Sequence, residues 1–236
     1  MLSAHDNYQY KPFVGSSHLW AQEKLSNIPN SAKVLDVGAG SGFLGKFLKS
    51  KGVSDLYAVE IDPETSKILK ETYKEVVSNI NELKGEKFDV VVLLDILEHL
   101  PRPKEFINQL KEYLSENAII LISVPNIAHW SVRIPLLFGC FNYKHRGILD
   151  ETHLWFFTRK TFKKFISETS LKKIELSQTI VPLEFVLPKY FYDNILFRFY
   201  TKIRVASAKL LPGLFAFQHL ALLQAIPKGQ IEKETT

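Results

Sequence analysis

Between residues 33 and 124, five short runs rich in β-branched side chains alternate with stretches of helical period, and few folds accommodate that rhythm. The runs fall at 33–37, 56–60, 75–78, 88–93 and 118–124. The helical stretches fall at 43–51, 63–73 and 103–114, and the last two open on a proline, which suits a first turn. Runs such as VVVLL (90–94) and IILIS (119–123) are apolar on both faces. A parallel strand covered by helices on both sides buries such a run. With two more runs at 173–180 and 217–226, the pattern predicts an α/β fold built on a doubly wound, mostly parallel seven-stranded sheet.

After Pro125 the rhythm changes. Residues 129–138 suit a helix, a loop containing glycine and aromatic residues runs to Thr152, and 161–170 is amphipathic. Residues 182–212 are too many for a hairpin loop and read as a helical cap inserted before the last strand. The expected division is an N-terminal cap over 1–30, a core over 31–181, the insertion, a last core strand within 213–227, and a tail. On a helical wheel Ile195, Leu196, Phe199, Ile203, Ala206 and Leu210 form an apolar stripe edged by Arg198, Lys202 and Lys209. Such a stripe suits packing on the sheet, a lid over a large apolar acceptor, or an anionic membrane surface.

Charge divides along the chain. Residues 1–126 carry 14 Lys and Arg against 17 Asp and Glu, a balance of −3, and residues 127–236 carry 16 against 8, a balance of +8. The second part also holds 18 of the 29 aromatic residues, so two jobs are implied. Its basic residues form no dense patch, so nucleic acid is not an expected partner. The single cysteine, Cys140, permits no internal disulfide, and residues 1–13 lack the order of a secretory signal. A cytoplasmic location, with peripheral membrane contact at most, is the expectation. The apolar stretch 210–226 is broken by Pro212, Gly213, Gln218 and His219, which argues against a membrane span.

The sharpest local signal is Val34-Leu35-Asp36-Val37-Gly38-Ala39-Gly40-Ser41-Gly42, at the end of the first run. Alternate glycines let the chain turn tightly and let a ligand lie on main chain where a Cβ would collide. Gly40, Gly42 and Gly45 also satisfy G-x-G-x-x-G, with Glu60 near the distance of a ribose contact, so a nicotinamide-dependent oxidoreductase is an alternative. Asp36 separates the two readings. A carboxylate at that strand end repels a pyrophosphate and attracts ammonium or sulfonium charge, which favours S-adenosylmethionine. A non-catalytic protein that keeps the cofactor fold is the third class.

VLDVGAGSG, YAVEID and FDVVVLLDILEHL resemble the first, second and fourth motifs of class I S-adenosylmethionine-dependent methyltransferases. The nearest subgroup is the small O-methyltransferase-like type that includes ubiquinone-pathway methylases, in which a stretch similar to VPNIAHWSVR…GILDETHLWFFT also occurs. The resemblance covers about residues 30–180 and the last strand. It implies that Asp36, Gly38, Ala39, Gly40 and Gly42 hold the methionine portion of the cofactor, and that Glu60 takes both ribose hydroxyls. Ile61 would pack on adenine, Asn79 (where relatives often have Asp) and Ile80 would lie at its edge, and Asp95 and Ile96 would stand beside the methionine end. Asn126, Trp130, Arg133 and Asp150 are the expected acceptor-binding residues. Trp155 stands where relatives often carry arginine, so their substrate class does not transfer directly.

In-line methyl transfer to a hydroxyl needs alignment and a base. His99, His129 and His153 are the candidates, with His129 and His99 foremost. A metal-assisted variant on Asp95, Glu98 and His99 ranks below the metal-free one, and no divalent metal is expected. The acceptor class is a hydroxyl on a small molecule, a sugar or a lipid-linked compound.

Overall fold

The computed structural model describes residues 13–185 and 187–227. Strands β1 (Val34–Val37), β2 (Leu56–Val59), β3 (Glu75–Val77), β4 (Phe88–Leu94), β5 (Leu114–Pro125), β6 (Lys172–Gln178) and β7 (Gln218–Gln224) form one sheet in the order β3-β2-β1-β4-β5-β7-β6. Pairings among β1 to β5 are parallel, and β7 runs antiparallel to both of its neighbours. The sheet is therefore mostly parallel and seven-stranded, as the sequence predicts.

Side-chain alternation explains why these runs are apolar on both faces. Leu35, Tyr57, Val91, Leu93, Ile120 and Ile122 pack with Ile107, Leu110, Phe162 and Phe165 in one core cluster. Their neighbours Val34, Ala58, Val90, Val92 and Leu121 pack with Trp20, Leu25, Leu44 and Leu48 in the other. Each such side chain contributes roughly 1.5–3 kcal/mol of transfer free energy, so both layers of helices are held by the same strands.

The helices covering the sheet are α1 (Ser17–Leu25), α2 (Phe43–Ser50), α3 (Pro63–Leu69), α4 (Pro103–Leu110) and, past the largely exposed α5 (Trp130–Leu137), in which Val132 alone is buried, α6 (Arg159–Ser167). Their limits follow from caps. Asp62 accepts from Thr65 N–H at 2.8 Å ahead of Pro63, and α3 stops at Leu69, short of residue 73, in a turn that buries Tyr73. Thr158 and Thr161 form a capping box that starts α6 two residues before the expected 161. The segment between β6 and β7 carries α7 (Lys189–Tyr192), α8 (Ile195–Leu210) and α9 (Pro212–Phe215). Asn126 fastens it to β5, donating from Nδ2 to the Ala216 carbonyl at 2.8 Å. The stripe on α8 does not pack on the sheet, and along that helix only Thr201 and Ala208 are buried.

Candidate cofactor and acceptor site

The carboxyl ends of the parallel strands meet at one edge of the sheet, where open α/β folds bind ligands. Past β1, Gly38, Gly40 and Gly42 adopt φ values of 69°, 52° and 68°. A Cβ on Gly38 would lie 2.1 Å from Cδ1 of Ile96, so Ile96 closes against the loop from the end of β4. Ala39 is buried beneath it. Past β2, Glu60 crosses to the loop: Oε2 accepts from Gly40 N–H at 3.2 Å and Oε1 from Asp62 N–H at 3.1 Å. Next to it Ile61 is 82% exposed, an apolar platform open to solvent. Past β3, Asn79 caps the turn Ile80–Leu83 by accepting from Asn81 N–H at 2.9 Å, and Ile80 points into the core.

Asp36 lies under the loop. Tyr73, which sequence reasoning did not single out, donates its hydroxyl to Asp36 Oδ2 at 2.5 Å and accepts from Gly45 N–H at 3.1 Å. Gly45 is required there, because a Cβ would come within 2.4 Å of the Tyr73 ring. Burial pushes Asp36 up to about 6; the Tyr73 hydrogen bond opposes that rise, and the charge on Glu60 adds to it. Burial and the Asp36 charge raise Tyr73 as well, so it stays a donor. A poorly solvated carboxylate behind a glycine loop is electrostatically unsatisfied until a cation approaches.

Asp95, past β4, has φ 56°, a left-handed conformation that Asp tolerates better than most residues. It is pinned from two other strands. Ser123 Oγ donates to Oδ1 at 2.7 Å, and Gln218 Nε2 lies 2.7 Å and 2.5 Å from the two carboxylate oxygens. Gln218 is set in turn by Thr179, whose hydroxyl donates to Gln218 Oε1 at 3.0 Å. Ser123, Thr179 and Gln218 escaped the sequence reading. The available signal was polar Gln218 and His219 opening an otherwise apolar strand.

The three histidines separate. His129 is buried at the N-terminus of α5, where Nδ1 accepts from Ser131 N–H at 3.3 Å and lies 2.7 Å from its hydroxyl. Burial lowers it to about 4. His99 and His153 instead pack edge to face at 4.7 Å. Thr152 donates its hydroxyl to Asp150 at 2.6 Å and so accepts from His99 Nδ1–H at 3.1 Å, which leaves Nε2 of His99 with its lone pair. His153 likewise directs Nδ1–H to the Ile148 carbonyl at 3.2 Å. Burial and the neighbouring His99 lower His153.

Glu98 stands with this pair: its ligand atoms and those of His99 and His153 lie within 4.8 Å of one another. Glu98 is 1% exposed, and neither carboxylate oxygen has a hydrogen-bond partner among the described residues. Burial raises it well above the ordinary carboxylate range, with the charge of Asp95 adding. One oxygen and two imidazole nitrogens facing each other form a donor set that a divalent cation can use.

Of the expected acceptor residues, Trp130 is half-exposed and Asp150 is committed to Thr152. Arg133 reaches the Gly213 carbonyl at 3.4 Å. Asn126 is fully buried, with Oδ1 accepting from Ala128 N–H at 3.1 Å and Nδ2 given to main-chain carbonyls near α9. Its amide ties the end of β5 to the helical segment and does not face the crevice.

A family model described as "Methyltransferase domain" matches residues 17–176. The chain belongs to that methyltransferase family. This agrees with the motif reading and sets aside the dinucleotide reading of the glycine loop. Among curated relatives, "Ubiquinone biosynthesis O-methyltransferase" of Rickettsia conorii is 32% identical over 113 residues, covering 44% of this chain and 38% of that protein. The protein of the same name from Histophilus somni is 26% identical over 135 residues, covering 51% and 57%. The chain thus spans about half the length of the curated relatives it matches, or less. Among solved structures, an Archaeoglobus fulgidus SAM-dependent methyltransferase superposes with a TM-score of 0.60 at 19% identity, covering 91% of this methyltransferase-family chain and 96% of its own. Magnesium protoporphyrin IX methyltransferase from Synechocystis, solved with bound SAH, gives 0.58 at 14% identity, covering 89% and 80%. At these identities the two structures establish a shared fold.

Proposed function

We propose that this chain is an S-adenosylmethionine-dependent methyltransferase that methylates a hydroxyl. The observation that carries the reading is the buried Asp36 carboxylate behind three left-handed glycines, with Glu60 reaching across to the same loop. The residues fit such a cofactor: Ser41 Oγ is buried at the loop without a partner among the described residues, and Ile61 offers an open apolar face. Bound there, S-adenosylmethionine would supply an activated methyl group on a cationic sulfur. Glu60 would exchange its bond to Gly40 N–H for the ribose hydroxyls, Ile61 would cover the adenine, and Asn79 would present its amide at the base edge. Asp36 attracts the positive charge, and Asp95, held rigid by Ser123 and Gln218, fixes the wall at the reacting end.

His99 is the best-placed base, because Thr152 and Asp150 hold it in the tautomer with a free Nε2. Positioned proton transfer of this kind is worth about 10²–10⁴ in rate. His129 has Nδ1 committed to Ser131 and is a weak base after burial. A second reading follows from Glu98, His99 and His153: a divalent cation held by the three would lower the pKa of an acceptor hydroxyl directly. Loss of turnover on chelation and its return with magnesium or manganese would select that reading over the metal-free one.

The acceptor is a small molecule, a sugar or a lipid-linked compound rather than nucleic acid. The exposed apolar side chains near the site, Trp130 among them, favour an acceptor with an apolar portion. Isothermal titration tests the core of the reading. S-adenosylmethionine is expected to bind, more weakly to Asp36→Ala and Glu60→Ala; no heat with the cofactor, or equal affinity in all three proteins, overturns it.

A further inference from the structure

Helix α8 is built the wrong way round for a core helix. Ile195 is 81% exposed, Leu196 78% and Leu210 81%, and Phe199, Tyr200 and Ile203 lie on the same exposed side. The face turned toward the protein holds the small buried residues Thr201 and Ala208. Just before the helix, Tyr190 and Phe191 are exposed too. A contiguous apolar surface of this kind on a folded chain marks an interaction site.

The charge on the helix identifies the partner. Arg198, Lys202 and Lys209 are exposed along one edge of the apolar face, and residues 194–217 contain no Asp or Glu. The fourth cation, Arg204, is directed inward to the Val181 carbonyl. We infer that α8 docks the protein on an anionic lipid bilayer, lying in the plane of the interface with Leu196, Phe199, Ile203 and Leu210 in the acyl boundary and the three cations at the headgroups. An apolar face with lysine and arginine at its margin is the pattern of an interfacial helix. A second copy of this chain fits less well. Isologous pairing through α8 would bring two cationic edges into one interface with no acidic side chain on the helix to offset them. No helix among the described residues is long and apolar enough to cross a membrane, so the contact is peripheral.

The placement has a consequence for the site. Helix α8 runs into α9, and the α9 segment is tied by Asn126 to the end of β5 and by Arg133 to the start of α5. The C-terminal end of α8 therefore lies close to the end of β5, at the sheet edge assigned to the acceptor. The inference rests on the proposed function only for what the membrane would deliver; the docking itself does not require methyl transfer.

The test is co-sedimentation of the full chain with vesicles of phosphatidylcholine alone and of phosphatidylcholine with phosphatidylglycerol at 3:1. The protein is expected to pellet with the anionic vesicles and to stay in the supernatant with the neutral ones. Leu196→Ser/Phe199→Ser/Ile203→Ser should abolish pelleting. Arg198→Glu/Lys202→Glu/Lys209→Glu should weaken it by about 100-fold or more, since each basic residue at such a surface contributes roughly fivefold, and raised salt should mimic it. Both variants change exposed side chains, and unaltered circular dichroism and S-adenosylmethionine titration confirm their fold. Failure of the parent protein to pellet overturns the inference, as does equal pelleting of the serine variant. A dimer in sedimentation equilibrium that the serine variant dissolves would assign the stripe to a second copy and equally refute it. Vesicle binding without cofactor binding would defeat the proposed function and leave this inference standing; cofactor binding without vesicle binding would do the reverse.

Discussion

Asp36→Asn is expected to make the protein more stable near neutral pH while weakening its hold on the cofactor. In the folded state the Asp36 carboxyl is pushed from 3.8 up to about 6, chiefly by burial. A raised carboxyl stabilises the fold fully below pH 3.8, where it is protonated in both states. That stabilisation is lost as pH rises through about 6, so above that value the folded chain carries a charge it would rather shed. A shift of about two units corresponds to roughly 3 kcal/mol. Asparagine keeps an acceptor for the Tyr73 hydroxyl and removes the charge. Urea unfolding of both proteins between pH 4 and 8 measures the difference. The variant should gain up to about 3 kcal/mol at pH 7.5, and the gain should vanish toward pH 4. His129 and His219 titrate in the same interval with the opposite sign, but they are present in both proteins and cancel. S-adenosylmethionine should bind the variant at least tenfold more weakly, about 1.4 kcal/mol. A variant that is no more stable at pH 7.5, or a difference that ignores pH, would refute the view that this carboxylate is kept ionised at a cost to the fold.

Gly38→Ala should lose cofactor binding and about 1–3 kcal/mol of stability, since its new methyl would strike Ile96 at a positive φ; Gly38→Ala/Ile96→Ala should recover part of both, read by titration and urea melts. His219 is buried against Phe162 and lowered to about 4, so the folded chain loses stability as pH falls from 6.5 toward 4. His219→Leu should flatten that acid limb by up to roughly 3 kcal/mol at pH 4, measured by urea unfolding. Thr152→Val removes the hydroxyl that orients His99 and should lower kcat by 10-fold or more with affinity for S-adenosylmethionine unchanged; an unchanged kcat would take His99 out of the role of base.

The parallel core was legible because period and burial coincide: a run such as VVVLL has one way to lose all its apolar surface, and β4 takes it. The glycine loop was legible because its conformation is written in residue type. What escaped are groups joined only through the sheet. Tyr73 reaches Asp36 across 37 residues, and Gln218 reaches Asp95 across 123. No periodicity brings such residues together; strand order does. The same reason hid the difference among the histidines. His129 and His99 both follow strands at the correct edge, yet a helix cap occupies one and a threonine–aspartate pair orients the other. The stripe on α8 was visible on a wheel, but periodicity does not say which way a stripe turns.

Strand β7 is the last of the seven in chain order, yet it slots between β5 and β6 and brings in the glutamine that clamps Asp95. During synthesis, five parallel strands can assemble while that carboxylate still has one side open. The reacting end of the crevice therefore acquires its shape only when residue 218 arrives, and a chain cut before it would possess a glycine loop but no finished wall opposite.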